Sequence, residues 1–372
     1  MSLLHARASS GPDELAFSDE HVRALDPIHF DRFLPVVWRA NTAGDVSTLL
    51  ALIREIAPSM ADVERMSVPE TLATMRDLGI LLGSIKRNGT EPLSEFSELE
   101  AVLRLIAQRS GLIPRDTIHH YIRWNPMGRR ERMYTGLPME RLLMAAVRIS
   151  LPRLSDAVDL CAVLDSAEPG DLTFALATNE LAALVGSMED SIDTVLANVT
   201  PEFFAKTMRP FFEEIRVGDE VYLGPAAAHV PLSIVDLLVW ACDRGGDEYL
   251  EFADDSVVYG LQHWKPLHGK WRRTKSLVTR VTDELQRCSA EEALPLAMYA
   301  SAEALCRTVR SLMVFRGKHL TIAKKAYATD VGLYELGSGG GSVAMLEAIT
   351  NSTRAISTLL RRSVTTHLKD VS

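Results

Sequence analysis

"PMERLLMAAVRISLPRLSDAVDLCAVLDSA" (residues 138–167) repeats apolar residues three and four positions apart along its whole length. With about 3.6 residues per turn, that spacing gathers them on one face of an α-helix, whereas a strand would alternate every second residue. The same spacing runs through "DVSTLLALIREIAPSM" (45–60), "SELEAVLRLIAQRSG" (97–111) and "LTFALATNELAALVGSMEDSIDTVLANV" (172–199). Helix-start signals accompany it. Ser289 followed by Glu292 in "SAEEALPLAMYASAEALCRTVRSLMVF" (289–315) forms a capping box. Pro201 after Thr200 in "TPEFFAKTMRPFF" (200–212) stands where a first helical turn tolerates proline. Strand text is rare: "RVGDEVYLG" (216–224) predicts one short hairpin around Gly218 and Asp219. The fold class is therefore all-α, and the lack of a fixed period excludes a solenoid. Gly111 and Pro114 in "RSGLIPRDT" (109–117) predict a boundary, with a smaller N-terminal helical part (1–110) and a larger helical part (111–372). The stretch "RRSVTTHLKDVS" (361–372) is expected to fray.

The chain has 372 residues, 47% hydrophobic and 24% charged, enough apolar content for a real core and against disorder. Its formal net charge of −9, with no basic face, argues against nucleic acid as a main partner. The short runs Arg129, Arg130, Arg132 and Lys270, Arg272, Arg273 read as solvated charges. Four cysteines, Cys161, Cys242, Cys288 and Cys306, lie far apart with no C-x-x-C pair. That excludes a zinc ribbon and a disulfide framework, and it fits a reducing cytoplasm. The N-terminal stretch lacks an apolar core of signal-peptide length, and no apolar run approaches the ~18 residues of a membrane span. A soluble cytoplasmic protein is expected.

Four segments depart from ordinary helical text. In "FRGKHLTIAKKAY" (315–327), Arg316 lies one helical turn before His319, so both side chains lean the same way. A neutral imidazole beside a guanidinium fits a metal-bearing anionic cofactor such as haem; the alternative is a histidine covering a helix face. In "PLSIVDLLVWACDRGG" (231–246), Asp236 stands inside a continuous apolar helix, and a buried carboxylate requires a partner. That partner is His319, whose ring a carboxylate would orient, or an arginine elsewhere; the remaining alternative is simple exposure at a helix edge. In "FFAKTMRPFFEEIRVGDEVYLGP" (203–225), Arg209 is flanked by four phenylalanines. It either reads a carboxylate next to a flat ring or snorkels from a plain core. In "ELGSGGGSVAML" (335–346), glycines around Ser338 and Gly339 let backbone N–H groups approach a ligand, as an active-site lid or as a linker. The glycine run lacks the Gly-Lys-Ser/Thr of a phosphate-binding loop.

In this order, "MRDLGILLGSIKRNGTEP" (75–92), "WNPM" (124–127), "YTGLP" (134–138), "MRPFFEEIRVGDEVYLGP" (208–225), "FRGKHLTIAKKAY" and "ELGSGGG" (335–341) resemble the monodechloroaminopyrrolnitrin synthase family, over residues 70 to 350. More distantly, the chain is similar to the indoleamine and tryptophan 2,3-dioxygenase haem superfamily. The resemblance implies an indoleamine-dioxygenase-like helical fold with a haem b in the larger C-terminal part. It implies His319 as the iron ligand, Arg316 near a propionate and Asp236 as the carboxylate behind the ligand. It further implies Arg209 on the substrate carboxylate, and Tyr327, Ser338 and Gly339 beside bound substrate. Tyr134 and Thr135 would fall near the open side of the haem, while His119 and His120 read as structural.

The function so implied is a haem-dependent oxygenase that uses O₂ or peroxide on tryptophan or a chlorinated tryptophan. It would open or rearrange the indole ring in antibiotic biosynthesis. The rivals are a peroxide-dependent haem hydroxylase of another aromatic amino acid, a haem-binding sensor without turnover, and a cofactor-free interaction domain. Two positions depart from the family pattern: Gly341 stands where the family carries a bulky aromatic residue, and Asp236 is the carboxylate of the dioxygenases. Both leave substrate and product open.

Overall fold

Helix starts are set by short polar side chains that satisfy the free N–H groups of a first turn. Asp45 accepts from the Thr48 N–H at 3.0 Å, Ser276 from the Thr279 N–H at 3.1 Å, and Thr200 from the Phe203 N–H at 3.1 Å. Ser59 with Asp62, and Ser67 with Glu70, form reciprocal capping boxes. Gly44 and Gly111 end helices in the left-handed region, with φ of 68° and 70°. A computed structural model describes residues 17–226, 231–288, 295–327 and 336–369. The capping box expected at Ser289 lies outside the described residues.

The helices before position 111 are α1 (Asp19–Ala24), α2 (Leu34–Ala43), α3 (Val46–Ile56), α4 (Met60–Arg65), α5 (Val68–Arg87), α6 (Pro92–Glu95) and α7 (Leu99–Ser110). After it come α8 (Pro138–Ser166), α9 (Leu172–Asn198), α10 (Leu232–Asp236), α11 (Cys242–Arg244) and α12 (Asp247–Ser256). They are followed by α13 (Trp264–Trp271), α14 (Leu277–Arg287), α15 (Leu296–Ala326) and α16 (Val343–Lys369). Among the described residues the only sheet is the expected hairpin, β1 (Ile215–Val217) antiparallel to β2 (Glu220–Tyr222). Val217 pairs with Glu220 across the two-residue turn, where Gly218 has a φ of 62°. The fold is all-α, as the spacing predicts.

The four long helices pack in series: α8 on α9, α9 on α15 and α15 on α16. One apolar cluster joins the second half of α8 to α9, α14, α15 and α16 around Trp240, Trp264 and Trp271. A second joins the first half of α8 to α2, α3, α5 and α7. Helix α8 has 29 residues, about 43 Å of rod, and runs through both, with Pro152 near the changeover. No described helix is long and apolar enough to cross a membrane.

Among the described residues, three short stretches depart from regular α geometry by one extra residue per turn: His119–Arg123, Phe203–Met208 and Leu237–Ala241. Such π-turns recur at functional sites because the inserted residue re-aims its neighbours. Two of them adjoin the segments that hold Arg209 and Asp236.

Candidate functional site

Helices α8 and α9 on one side, α15 and α16 on the other, and the ends of α10 and α12 enclose a cavity of about 270 Å³. Its wall is mostly aliphatic and aromatic. Among the residues singled out in the sequence, Asp236, Arg316, His319, Tyr327, Ser338 and Gly339 line it. They come from positions up to 103 apart, and the series packing of the long helices is what brings them together.

His319 sits one turn after Arg316 on α15, stacked on Phe315 with ring centroids 5.5 Å apart and planes at 20°. The protein surrounds the ring, yet it keeps accessible surface because it faces the cavity. No hydrogen bond joins it to a described residue. Burial, and secondarily the Arg316 guanidinium, push its pKa down to about 4, so the imidazole is neutral at neutral pH with a lone pair available. Among the described residues no three His, Cys, Asp or Glu side chains gather into a metal cluster. The donor set here is a single imidazole, which suits a metal that brings its other ligands with it.

Asp236 is fully buried and takes three donors. Its Oδ1 accepts from Trp240 Nε1 at 2.9 Å, and its Oδ2 accepts from Tyr249 Oη at 2.5 Å and from Arg316. Of the two partners open to it from sequence, the described contacts are with the arginine. Arg316 in turn donates to Thr353 Oγ1 of α16 at 2.5 Å and lies 5.4 Å over the Trp240 ring. Trp240 and Tyr249 stack almost in parallel, at 5.5 Å and 7°, and Tyr249 continues onto Phe252. The π-turn beginning at Leu237 follows Asp236 directly and carries Trp240 back over it. Burial and the Asp236 charge hold the Tyr249 phenol well above its ordinary range, so it stays protonated and donating.

Tyr327 closes α15, its N–H bonded to the Ala323 carbonyl at 2.9 Å. Burial raises its phenol pKa, opposed by the Arg209 charge and by hydrogen bonds from Arg209 and the Ser338 N–H. The glycine loop is pinned by Gly337 N–H to the Gly341 carbonyl at 2.8 Å and Gly340 N–H to the Gly337 carbonyl at 3.0 Å, with Gly340 at a φ of 84°. Arg209 is 5% exposed and does not line the cavity; it reaches the site through Tyr327.

Tyr134 and Thr135 stand elsewhere. Their N–H groups both donate at 2.7 Å to the carboxylate of Glu140 in the first turn of α8, and the Tyr134 ring stacks on Phe211 at 4.5 Å. They fasten a helix start and do not line the cavity. His119 and His120 are buried against Trp124, away from it. Tyr249, Trp240, Phe252 and Thr353 escaped the sequence reading. Tyr249 and Phe252, three apart on amphipathic α12, left an aromatic pair on one face as the only signal.

A family model described as monodechloroaminopyrrolnitrin synthase PrnB matches residues 39–372 of the chain.

Proposed function

The chain belongs to the monodechloroaminopyrrolnitrin synthase PrnB family, and from that premise we propose a haem-dependent oxygenase of tryptophan or a substituted tryptophan. In this reading the indole ring is opened or rearranged in the biosynthesis of a secondary metabolite. One observation carries it: His319 is a neutral imidazole, unbonded to any described residue, facing an apolar cavity. That donor chemistry fits haem b. His319 would take the iron, and the apolar wall would take the macrocycle. Bound there, haem would supply the activation of O₂ or peroxide, redox chemistry that side chains lack.

The chain's own residues then bind and orient. The apolar walls receive an aromatic ring and exclude water, which strengthens each polar contact inside. Tyr327, held protonated, offers an O–H to the polar end of the substrate, and Ser338 adds a hydroxyl beside it. Arg209 contributes positive charge from behind Tyr327, and Asp236 fixes the rotamer of Arg316. A reducing cytoplasm suits the four cysteines, which form no disulfide.

The test is a visible spectrum of protein produced with a haem precursor, in ferric, ferrous and ferrous-CO forms, with and without L-tryptophan. A Soret band that moves with tryptophan, and is lost or strongly altered in His319→Ala, is the expected result. A Soret band indifferent to every indole overturns the substrate class. Protein that takes up no haem on reconstitution overturns the whole reading.

A further inference from the structure

Among the described residues two tyrosines line the cavity, and their phenol groups are held in opposite ways. Tyr327 takes hydrogen bonds from Arg209 and the Ser338 N–H, so its oxygen faces donors. Tyr249 does the reverse: its O–H donates to Asp236 Oδ2 at 2.5 Å. A phenol that loses an electron becomes a strong acid, so the electron leaves readily only where a base already receives the proton. Tyr249 has that base in place; Tyr327 has none among the described residues.

A second oxidisable ring, Trp240, shares the carboxylate through Nε1 at 2.9 Å and stacks on Tyr249 at 5.5 Å and 7°. The Arg316 guanidinium stands 5.4 Å over that indole. A cation there disfavours oxidation of Trp240, whose ring would turn positive until its N–H proton left. Tyr249, its proton passed to Asp236, is instead a neutral radical, so the unpaired electron belongs on the phenol. Arg316 also pairs with Asp236 and weakens it as a base, which keeps a mild oxidant from drawing the electron.

We propose that Tyr249, with Asp236 as its proton acceptor, is a one-electron donor that discharges the haem when peroxide reacts with no substrate to consume it. The proposal rests on the reading that haem occupies this cavity. Hydrogen peroxide takes two electrons from the haem-loaded protein and two protons, and its O–O bond breaks to give two waters. Tyr249 returns one of those electrons to the haem: its O–H bond breaks and the proton passes to Asp236 Oδ2. A soluble one-electron reductant such as ascorbate restores the phenol, the proton returning from Asp236.

Electron paramagnetic resonance of ferric, haem-loaded, substrate-free protein, freeze-quenched after mixing with hydrogen peroxide, tests this. The wild type should give a radical signal that narrows when the protein is produced with ring-deuterated tyrosine. Tyr249→Phe, nearly isosteric, should lose the signal and keep its Soret band, while Tyr327→Phe should retain both. The signal should form more slowly in heavy water, and the Tyr249→Phe haem should bleach in fewer additions of peroxide. A signal that survives in Tyr249→Phe, or that narrows only with ring-deuterated tryptophan, sinks the proposal. Formation at the same rate in heavy water removes Asp236 from the step, and unchanged bleaching removes the discharge. If haem is bound and no radical forms, only this inference falls. If the protein takes up no haem, the function proposed above falls with it.

Discussion

Asp236 is the side chain on which Trp240, Tyr249 and Arg316 converge, and its removal isolates a charge. Arg316 is 6% exposed, so Asp236→Asn leaves a buried guanidinium without its counter-charge. Breaking a buried pair in that way costs about 3 kcal/mol, whereas replacing both partners by apolar groups is close to neutral. Urea unfolding should therefore show Asp236→Asn destabilised by that amount, and Asp236→Leu with Arg316→Met recovering most of it. An unchanged urea midpoint in Asp236→Asn would mean the pair holds nothing together. The sequence told that a carboxylate in an apolar helix needed a partner, but not which one. Its arginine lies 80 residues away, and no local pattern reports such a distance. His319 and Arg316 were legible because one helical turn relates them. Tyr134 and Thr135 point the other way: "YTGLP" reads as a site segment, yet the two N–H groups and the Thr135 hydroxyl serve Glu140.

At the scale of the element, the long helices were legible from spacing alone, since one apolar stripe serves one packed face. The three π-turns were not. One residue too many in a turn follows from what the helix packs against, and no periodicity marks it in advance. The glycines of the helices divide in the same way. In α5, a Cβ at Gly79 would fall 2.2 Å from Asp116 Cγ, and one at Gly83 would fall 2.8 Å from the Phe211 carbonyl oxygen. The first obstacle is a buried side chain and the second is backbone, so Gly79→Ala and Gly83→Ala should each cost about 1–3 kcal/mol. In α9, a Cβ at Gly186 meets nothing within 4 Å, so Gly186→Ala should stabilise by up to about 1 kcal/mol. Thermal melts of the three variants check the contrast: a melting point lowered in Gly186→Ala would refute it.

Across the whole molecule, the titration of buried groups sets the response to acid. His119 and His120 are held neutral, His119 far below its ordinary value and His120 at about 3, burial being the larger cause in each. Burial raises Asp116 to about 6 against the opposing charge of Arg115. Between pH 4 and 6 the unfolded chain binds two imidazole protons that the folded one refuses, and the folded chain keeps one carboxyl proton that the unfolded one has lost. The difference, two less one, is one proton, so stability from these groups rises with pH by about 1.4 kcal/mol per unit in that window. His319, lowered to about 4, and His268, also lowered, act in the same direction. Asp116→Asn removes the opposing carboxyl and should steepen the slope by about 1.4 kcal/mol per unit, measured by urea unfolding at intervals from pH 4 to 6. A slope unchanged by the substitution would show that Asp116 titrates in the folded protein as it does in the open chain. None of this was visible in composition, because burial, not residue type, moves these groups. The Arg316 network carries a last consequence. Its guanidinium ties α15 to α16 through Thr353 and to the end of α10 through Asp236, so the cation at the cavity wall is already neutralised. An anionic ligand group arriving there must replace a carboxylate rather than meet a vacant charge. Its binding is then an exchange of partners, and its strength is the difference between two similar attractions.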